Sequence, residues 1–363
     1  MTVKAIASLT TLAFLLGNAG VLLATANRPI ATGRILQTEG DVQLQRGDGR
    51  TFSPEAGTLL YPDDRLLATT GNAAILCEDN SITTVDSDWL NSCPAATEEC
   101  DPEAYNCPHR GDDLNVGDNA IPYIISPRRT KLLSDRPLLR WNAVDGVTEY
   151  TVDLLENGRK LWSIPVSVEP SLVGERIELA YPANENPLEP ESWYLLVVKT
   201  DTGVRSPSEF EFQLLDRDTV ETVRQKQAEI ESQPFGDMAK AIAISQLYSD
   251  YGLNVEAIDL LESLPEKTSA VYQQLGNLYW ENLRLVRQGS QTYLKAIDLA
   301  NPNNLELTAI AKDRVGQYYL QIGEKREEAI QLLTESQAAY ETLGDVENAT
   351  RIEILLQRTR DNS

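Results

Sequence analysis

The feature that most limits what this chain can fold into is a change in the spacing of its apolar residues at Asp216. Beyond it, apolar positions recur at helical intervals, and the helical stretch repeats itself. Ile244, Tyr248, Gly252, Ala257 and Leu261 have the spacing of one helix–turn–helix unit. Tyr272, Leu275, Gly276 and Tyr279, followed by Tyr293, Ala296 and Pro302, make a second. Val315, Gly316, Tyr319, Gly323, Ala329 and Leu333 make a third. Small residues let two helices approach and aromatic rings fill the gap between neighbouring units. Such a unit cannot bury its apolar face alone, and three meet the minimum for a stable stack. The second unit needs about one inserted residue in its second helix and carries Gly289 where alanine is expected. The third needs an insertion before Ala329, and the stretch from Ala339 to Leu356 reads as a degenerate unit or a cap. An amphipathic helix over 217–232 precedes the repeats and is broken by Pro234-Phe235-Gly236.

Upstream of Asp216 the spacing is that of strands. Over 34–88, Val42 and Leu44 alternate with polar neighbours. Turn signals follow at Gly47-Asp48-Gly49, Pro62-Asp63-Asp64, Thr70-Gly71-Asn72 and Asp79-Asn80. Short strands between such turns predict a small sandwich or barrel. Over 124–216, Asn157-Gly158 is a strong hairpin signal, and Trp141, Trp162 and Trp193 lie on successive strand-like runs. Core packing is the preferred reading of the three rings, with an exposed sugar-stacking strip as the rival.

These three stretches carry family resemblances. Gly40-Asp41-Val42, Gly57-Thr58-Leu59-Leu60 before Asp63-Asp64, the run Leu67 to Leu76 and the Asp79-Asn80-Ser81 turn resemble a FecR-like domain. That resemblance implies a periplasmic or surface β-domain without catalytic residues. The spacings Pro137-x-x-x-Trp141, Gly146-x-x-x-Tyr150 and Leu188-x-Pro190 before Tyr194 resemble a fibronectin type III-like module, whose default role is a spacer or binding platform. The repeats over about 240–359 resemble a tetratricopeptide-repeat array. Its implied work is to hold a peptide or another protein in a concave groove, and its implied packing residues are Tyr248, Gly252, Ala257, Tyr272, Gly276, Tyr279, Ala296, Gly316, Tyr319, Gly323 and Ala329. The expected fold is multidomain: two small all-β domains followed by an all-α helical-repeat solenoid. The expected boundaries are a signal peptide over 1–26, a FecR-like domain with a cysteine-containing acidic loop over 27–116 and a fibronectin type III-like sandwich over 117–216. A linker helix over 217–236 and tetratricopeptide-like repeats over 237–363 complete the chain.

Residues 1–26 hold one charge, Lys4, an apolar run to Leu23 and an Ala24-Thr25-Ala26 cleavage signal, the layout of a secretory leader. Export to the periplasm or cell surface is the expectation, with a retained membrane anchor as the alternative. Cys77, Cys93, Cys100 and Cys107 show no C-x-x-C pair, which argues against a zinc ribbon. In an oxidising compartment they read as two disulfides. Of the three pairings, Cys77–Cys93 with Cys100–Cys107 closes the shortest loops. The same loop is dense in carboxylates (Glu98, Glu99, Asp101, Glu103, Asp112 and Asp113), for which a solvated charge run is preferred over a calcium site.

With 32 Lys+Arg against 55 Asp+Glu the chain carries a net charge of −23, which opposes binding to phosphate backbones. His109 is the one histidine, so imidazole acid–base chemistry has little to draw on. There is no nucleophile elbow, phosphate-binding loop, H-E-x-x-H helix or dinucleotide loop. The expectation is a non-enzymatic exported adaptor or scaffold without cofactor or metal. It binds a partner protein or peptide through the repeats, while the β-domains present or attach it. The alternatives are a carbohydrate- or envelope-binding protein, or a periplasmic sensor if the N-terminal segment is kept as an anchor.

Overall fold

A computed structural model describes residues 31–94, 120–169, 176–208 and 210–361. Strands fill the N-terminal half and helices the C-terminal half. The first eight strands are β1 (Gly33–Glu39), β2 (Val42–Gln45), β3 (Thr51–Phe52), β4 (Leu59–Leu60), β5 (Arg65–Ala68), β6 (Asn72–Cys77), β7 (Ile82–Val85) and β8 (Trp89–Leu90). They form two antiparallel four-stranded sheets, ordered β4-β1-β6-β7 and β3-β2-β5-β8. Ile35, Val42, Leu44, Leu60, Leu66 and Ile75 fill the space between them. Cys77 at the end of β6 is bonded to Cys93 just past β8, with the two Cα atoms 5.3 Å apart. The bridge closes over Gly33, where a Cβ would meet Cys93 Sγ at 3.0 Å.

The next eight strands are β9 (Ile124–Ser126), β10 (Lys131–Leu132), β11 (Leu139–Asn142), β12 (Glu149–Glu156), β13 (Arg159–Ser167), β14 (Arg176–Leu179), β15 (Trp193–Thr200) and β16 (Phe212–Leu214). A three-stranded sheet, β14-β11-β9, faces a five-stranded one, β10-β16-β15-β12-β13. The β12–β13 hairpin turns at Asn157 and Gly158, both with positive φ, which suits the right-handed twist of the flanking strands. Trp141 and Trp162 are core residues. Trp141 packs edge-on to Tyr150 and Trp162 edge-on to Tyr181, at 5.8 and 5.7 Å between ring centres. Trp193 departs from the core expectation and is 38% exposed, because alternation along β15 puts its neighbour Tyr194 inward.

Among the described residues there are eight helices: α1 (Arg217–Glu231), α2 (Asp237–Asp250), α3 (Asn254–Glu262), α4 (Ser269–Asn277), α5 (Val286–Leu299), α6 (Leu305–Ile322), α7 (Arg326–Thr342) and α8 (Val346–Asp361). Side chains of Asp216, Thr268 and Asn304 cap α1, α4 and α6 by accepting from backbone N–H groups. A π-helical turn over Leu278–Asn282 continues α4. A π-turn takes up one extra residue without ending a helix. None of these helices is long and apolar enough to cross a membrane.

Helices α1–α4 and one face of each β-unit share an apolar cluster, while each sandwich keeps its own core and α5–α8 pack in clusters of their own. β1 has a bulge between Ile35 and Gln37, and its successive residues Ile35 and Leu36 are both fully buried in different clusters. Ile35 faces the sandwich, whereas Leu36 joins Ala74 and Leu76 of β6 against α2 and its neighbours. The second unit repeats the arrangement: Ile124 enters its own core, while Tyr123 and Ile125 pack into the helical cluster with Leu215. α2 is accordingly buried almost all round, through Ala239, Ala241, Ile242, Ala243, Ile244, Leu247 and Tyr248.

Candidate functional site

The predicted repeat residues sit at helix–helix contacts. Ala257, Ala296 and Ala329 are fully buried, and Tyr248, Tyr279 and Tyr319 are nearly so. Tyr272 is partly buried, against Ala270 and Ala296. Gly276 lies under the ring of Tyr293, where a Cβ would come within 2.7 Å, and Gly316 lies equally close to Leu333. Gly252 and Gly323 adopt positive φ at the ends of α2 and α6. Gly289, in the place of an alanine, has Trp280 Cβ and the Gly276 carbonyl within 3.3 Å of where its Cβ would lie. These residues set helix spacing and do not converge on a solvent-facing site. Cys77 and Cys93 are paired, whereas Cys100, Cys107, His109 and the acidic loop lie outside the described residues.

Much of the array's surface is taken by the β-units. The first unit meets the starts of three helices. Gln37 accepts from the Gly236 N–H at 2.9 Å, and Thr268 Oγ1 donates to the Ala56 carbonyl at 2.8 Å, beside a Ser269–Glu55 hydrogen bond. Arg50 donates to the Asn303 carbonyl and to Glu306, each at 2.9 Å. The second unit holds the turns between helices. Arg128 donates to the carbonyls of Leu283 and Arg284, and Arg129 to that of Asn282. Cationic donors at the C-terminal end of a helical segment satisfy carbonyls left over there. Arg140 grips Asp259 of α3 at 2.7 Å, and the Leu133 N–H donates to Glu256 at 2.9 Å.

Where the first unit meets α6, α7 and the turn into α8, the packing leaves a cavity of about 230 Å3. Arg46 forms its base. Val42 and Leu44 face inward along β2, and Arg46, the residue after the strand, continues that alternation, so the guanidinium is carried into a place where an apolar side chain is expected. It is held between the rings of Phe52 and Tyr61, at 5.4 and 5.0 Å from their centres, which suits a cation on two π faces. Arg46 Nη1 donates to the Leu59 carbonyl at 3.0 Å and to Asp64, which also accepts from the Tyr61 N–H at 2.7 Å. Burial pushes the Asp64 carboxyl above its ordinary value, against the pull of Arg46. Burial also raises Asp48, but hydrogen bonds from the Arg50 N–H and guanidinium outweigh it and hold this carboxyl below its ordinary value.

Glu306, in the first turn of α6, spans the junction. Its Oε1 faces Arg46 Nε at 3.4 Å and Arg50 Nη2 at 2.9 Å. Its Oε2 is buried without a hydrogen-bond partner. Ile310, Tyr340 and Leu343 supply an apolar wall, and Asp63 and Asp345 complete the lining. Asp345 is committed to the start of α8, accepting from the Asn348 N–H at 3.0 Å. The cavity is smaller than the roughly 300–1,000 Å3 of small-molecule and cofactor pockets, so it suits one inserted side chain. Among the described residues no three His, Cys, Asp or Glu side chains are arranged to hold a metal ion. Sequence reasoning missed this cleft. One signal was present: a charged residue, Arg46, where the inward alternation of β2 continues past the strand's end. The pairing of Arg46 and Arg50 with Glu306, about 250 residues away, had no sequence signal.

No family model matches the chain, and no curated protein matches it. Among solved structures it is similar to dimeric latent PorU from Porphyromonas gingivalis, at 13% identity and a TM-score of 0.22. That likeness covers 52% of this chain and 18% of that one, and at this level it carries no argument about either fold or function.

Proposed function

We propose that the protein is an exported, non-enzymatic scaffold that binds a partner protein at the junction of its first β-unit with α6, α7 and the turn into α8. In this reading the β-units are a FecR-like domain and a fibronectin type III-like sandwich, and the helices are a short tetratricopeptide-like array closed by α8. The observation that carries the proposal is the cleft itself. It is built jointly by the turns that follow β2 and β4, by α6, and by the end of α7 with the turn into α8, so that the helices and a β-unit face each other across open space. The β-units occupy the starts of α2, α4 and α6 and the turn before α5, which favours α7 and the turn into α8 as the recognition surface. The Cys77–Cys93 bridge fits an oxidising compartment.

A glycan-binding role has less behind it. Trp141 and Trp162 are buried, so the sugar-stacking strip considered from the sequence shrinks to the single ring of Trp193. The two readings separate in one experiment. A photo-crosslinking residue is placed at Leu343 in the cleft or at Trp193 on the sandwich, in full-length protein expressed in cells that naturally make it. The scaffold reading predicts a discrete protein adduct from position 343 and none from 193. An adduct confined to 193, or one carrying glycan in place of protein, would overturn it.

A further inference from the structure

We propose that the cleft where the first β-unit meets α6, α7 and the turn into α8 receives a lysine or arginine side chain of a partner polypeptide, with Glu306 Oε2 and Asp63 as its acceptors. The inference rests on the scaffold reading and gives the partner's chemistry. Two arginines and five carboxylates line the cavity. Both arginines are already neutralised, Arg46 by Asp64 and Glu306, and Arg50 by Asp48 and Glu306. An anionic ligand would find no free cation among them and would face the surplus of acid. Among these lining groups two acceptors lack a partner, whereas the one buried donor without a hydrogen bond, Arg46 Nε, already faces Glu306 Oε1 at 3.4 Å. Glu306 Oε2 is buried and unpaired, and a buried acceptor without a partner is costly until a donor arrives. Asp63 is exposed at the rim and makes no hydrogen bond among the described residues.

Shape favours the same occupant. A lysine or arginine has an apolar stem and a cationic head, and the cavity offers Ile310, Leu343 and the Tyr340 ring beside the carboxylates. Its volume admits one such side chain and excludes a folded ligand of cofactor size. The cleft is therefore an anchor point within a wider contact surface. The acid excess of the whole chain draws basic segments toward it, adding to association rate more than to specificity.

The test uses the full-length protein and fluorescein-labelled hexapeptides of lysine, glutamine and glutamate, with binding read by anisotropy at two salt concentrations. Hexalysine is expected to bind and to weaken as salt rises, and the other two are expected not to bind. Loss of one charge-assisted hydrogen bond corresponds to about tenfold or more in affinity, so Glu306→Gln should weaken hexalysine by about that factor. Asp63→Asn, which touches neither arginine, should weaken it several-fold, and Leu343→Trp should block it without changing any charge. Asp201→Asn on the exposed sandwich surface is the control for general attraction to an acidic protein. Equal losses from Asp201→Asn and Glu306→Gln, or retained binding in Leu343→Trp, would overturn the proposal. So would competition by spermidine at the affinity of the peptide, which would make the occupant a free polyamine. A thermal melt of each variant separates lost binding from lost fold. A protein adduct at position 343 that Glu306→Gln leaves unchanged sinks this inference and spares the scaffold. Peptide binding at the cleft without any such adduct sinks the scaffold and spares the site.

Discussion

Glu256 offers a sharp test of how the second β-unit is joined to the helices. The residue sits in the first turn of α3. Its Oε1 accepts the Leu133 N–H at 2.9 Å, and its Oε2 is sealed from solvent without a partner. Burial, helped by the nearby Asp259 charge and opposed by the Leu133 N–H, pushes this carboxyl from 4.5 up to about 7. Arg140 offsets part of the Asp259 charge by pairing with it, and Tyr248 is the other titratable group close by. An acid whose folded-state pKa is raised binds more protons folded than unfolded. Its contribution is therefore favourable below pH 4.5, falls as pH rises to about 7, and is flat above that. The shift corresponds to roughly 3 kcal/mol, an upper bound because local opening lets the charged carboxylate reach water at high pH, leaving about 1–2 kcal/mol. Glu256→Gln keeps the acceptor for Leu133 and removes the titration. Urea unfolding at pH 5 and pH 8 should show the variant gaining about 1–2 kcal/mol on the wild type between the two. Other raised carboxyls, such as Asp250 and Asp64, cancel in that difference. Parallel wild-type and variant curves across the range would refute the reasoning.

Further consequences are equally direct. Gly276→Ala would drive a Cβ into the Tyr293 ring and should cost about 1–3 kcal/mol in a thermal melt, whereas Gly146→Ala, with open space around it, should cost only its backbone strain. Asp64→Ala leaves Arg46 buried beside one carboxylate fewer and should cost about 3–5 kcal/mol in urea unfolding, while the cleft loses its shape. Replacing Cys77 and Cys93 together by alanine opens a loop of 16 residues and should cost about 3 kcal/mol under oxidising conditions, with the difference vanishing when both proteins are reduced.

The order of strands and helices was legible because local signals dominate there. Val42 and Leu44 alternate as strands do, Asn157-Gly158 demands a hairpin, and Gly276 and Gly316 sit where helices must approach. The Cys77–Cys93 pairing followed from the shortness of its loop. What the sequence concealed was the joining of these parts. Ala73, Ala74, Ile75 and Leu76 form an unbroken apolar run, the mark of a strand buried on both faces, and Leu36 beside Ile35 says the same of β1. Read one strand at a time, both pass for ordinary sandwich strands. The same run viewed against α2 is half of an interface. The cleft was hidden for a related reason. Arg46 and Glu306 are each unremarkable alone, and only the packing of the first β-unit on α6 brings them within 3.4 Å. Trp193 misled because pattern identifies a strand more readily than it identifies which face is wet.

The apolar cluster shared by the β-units and α1–α4 is what holds the molecule together as one body. Differential scanning calorimetry of the wild type and Leu36→Ala tests it most directly. Leu36 is fully buried among helical residues, and its truncation should cost about 2–5 kcal/mol. The prediction is one cooperative endotherm, with agreement between calorimetric and van't Hoff enthalpies, that moves to lower temperature as a whole in the variant. A helical transition that stays at its wild-type temperature while a separate β-transition shifts would contradict the shared cluster. The junction cleft would then lose the rigid frame on which its proposed role depends.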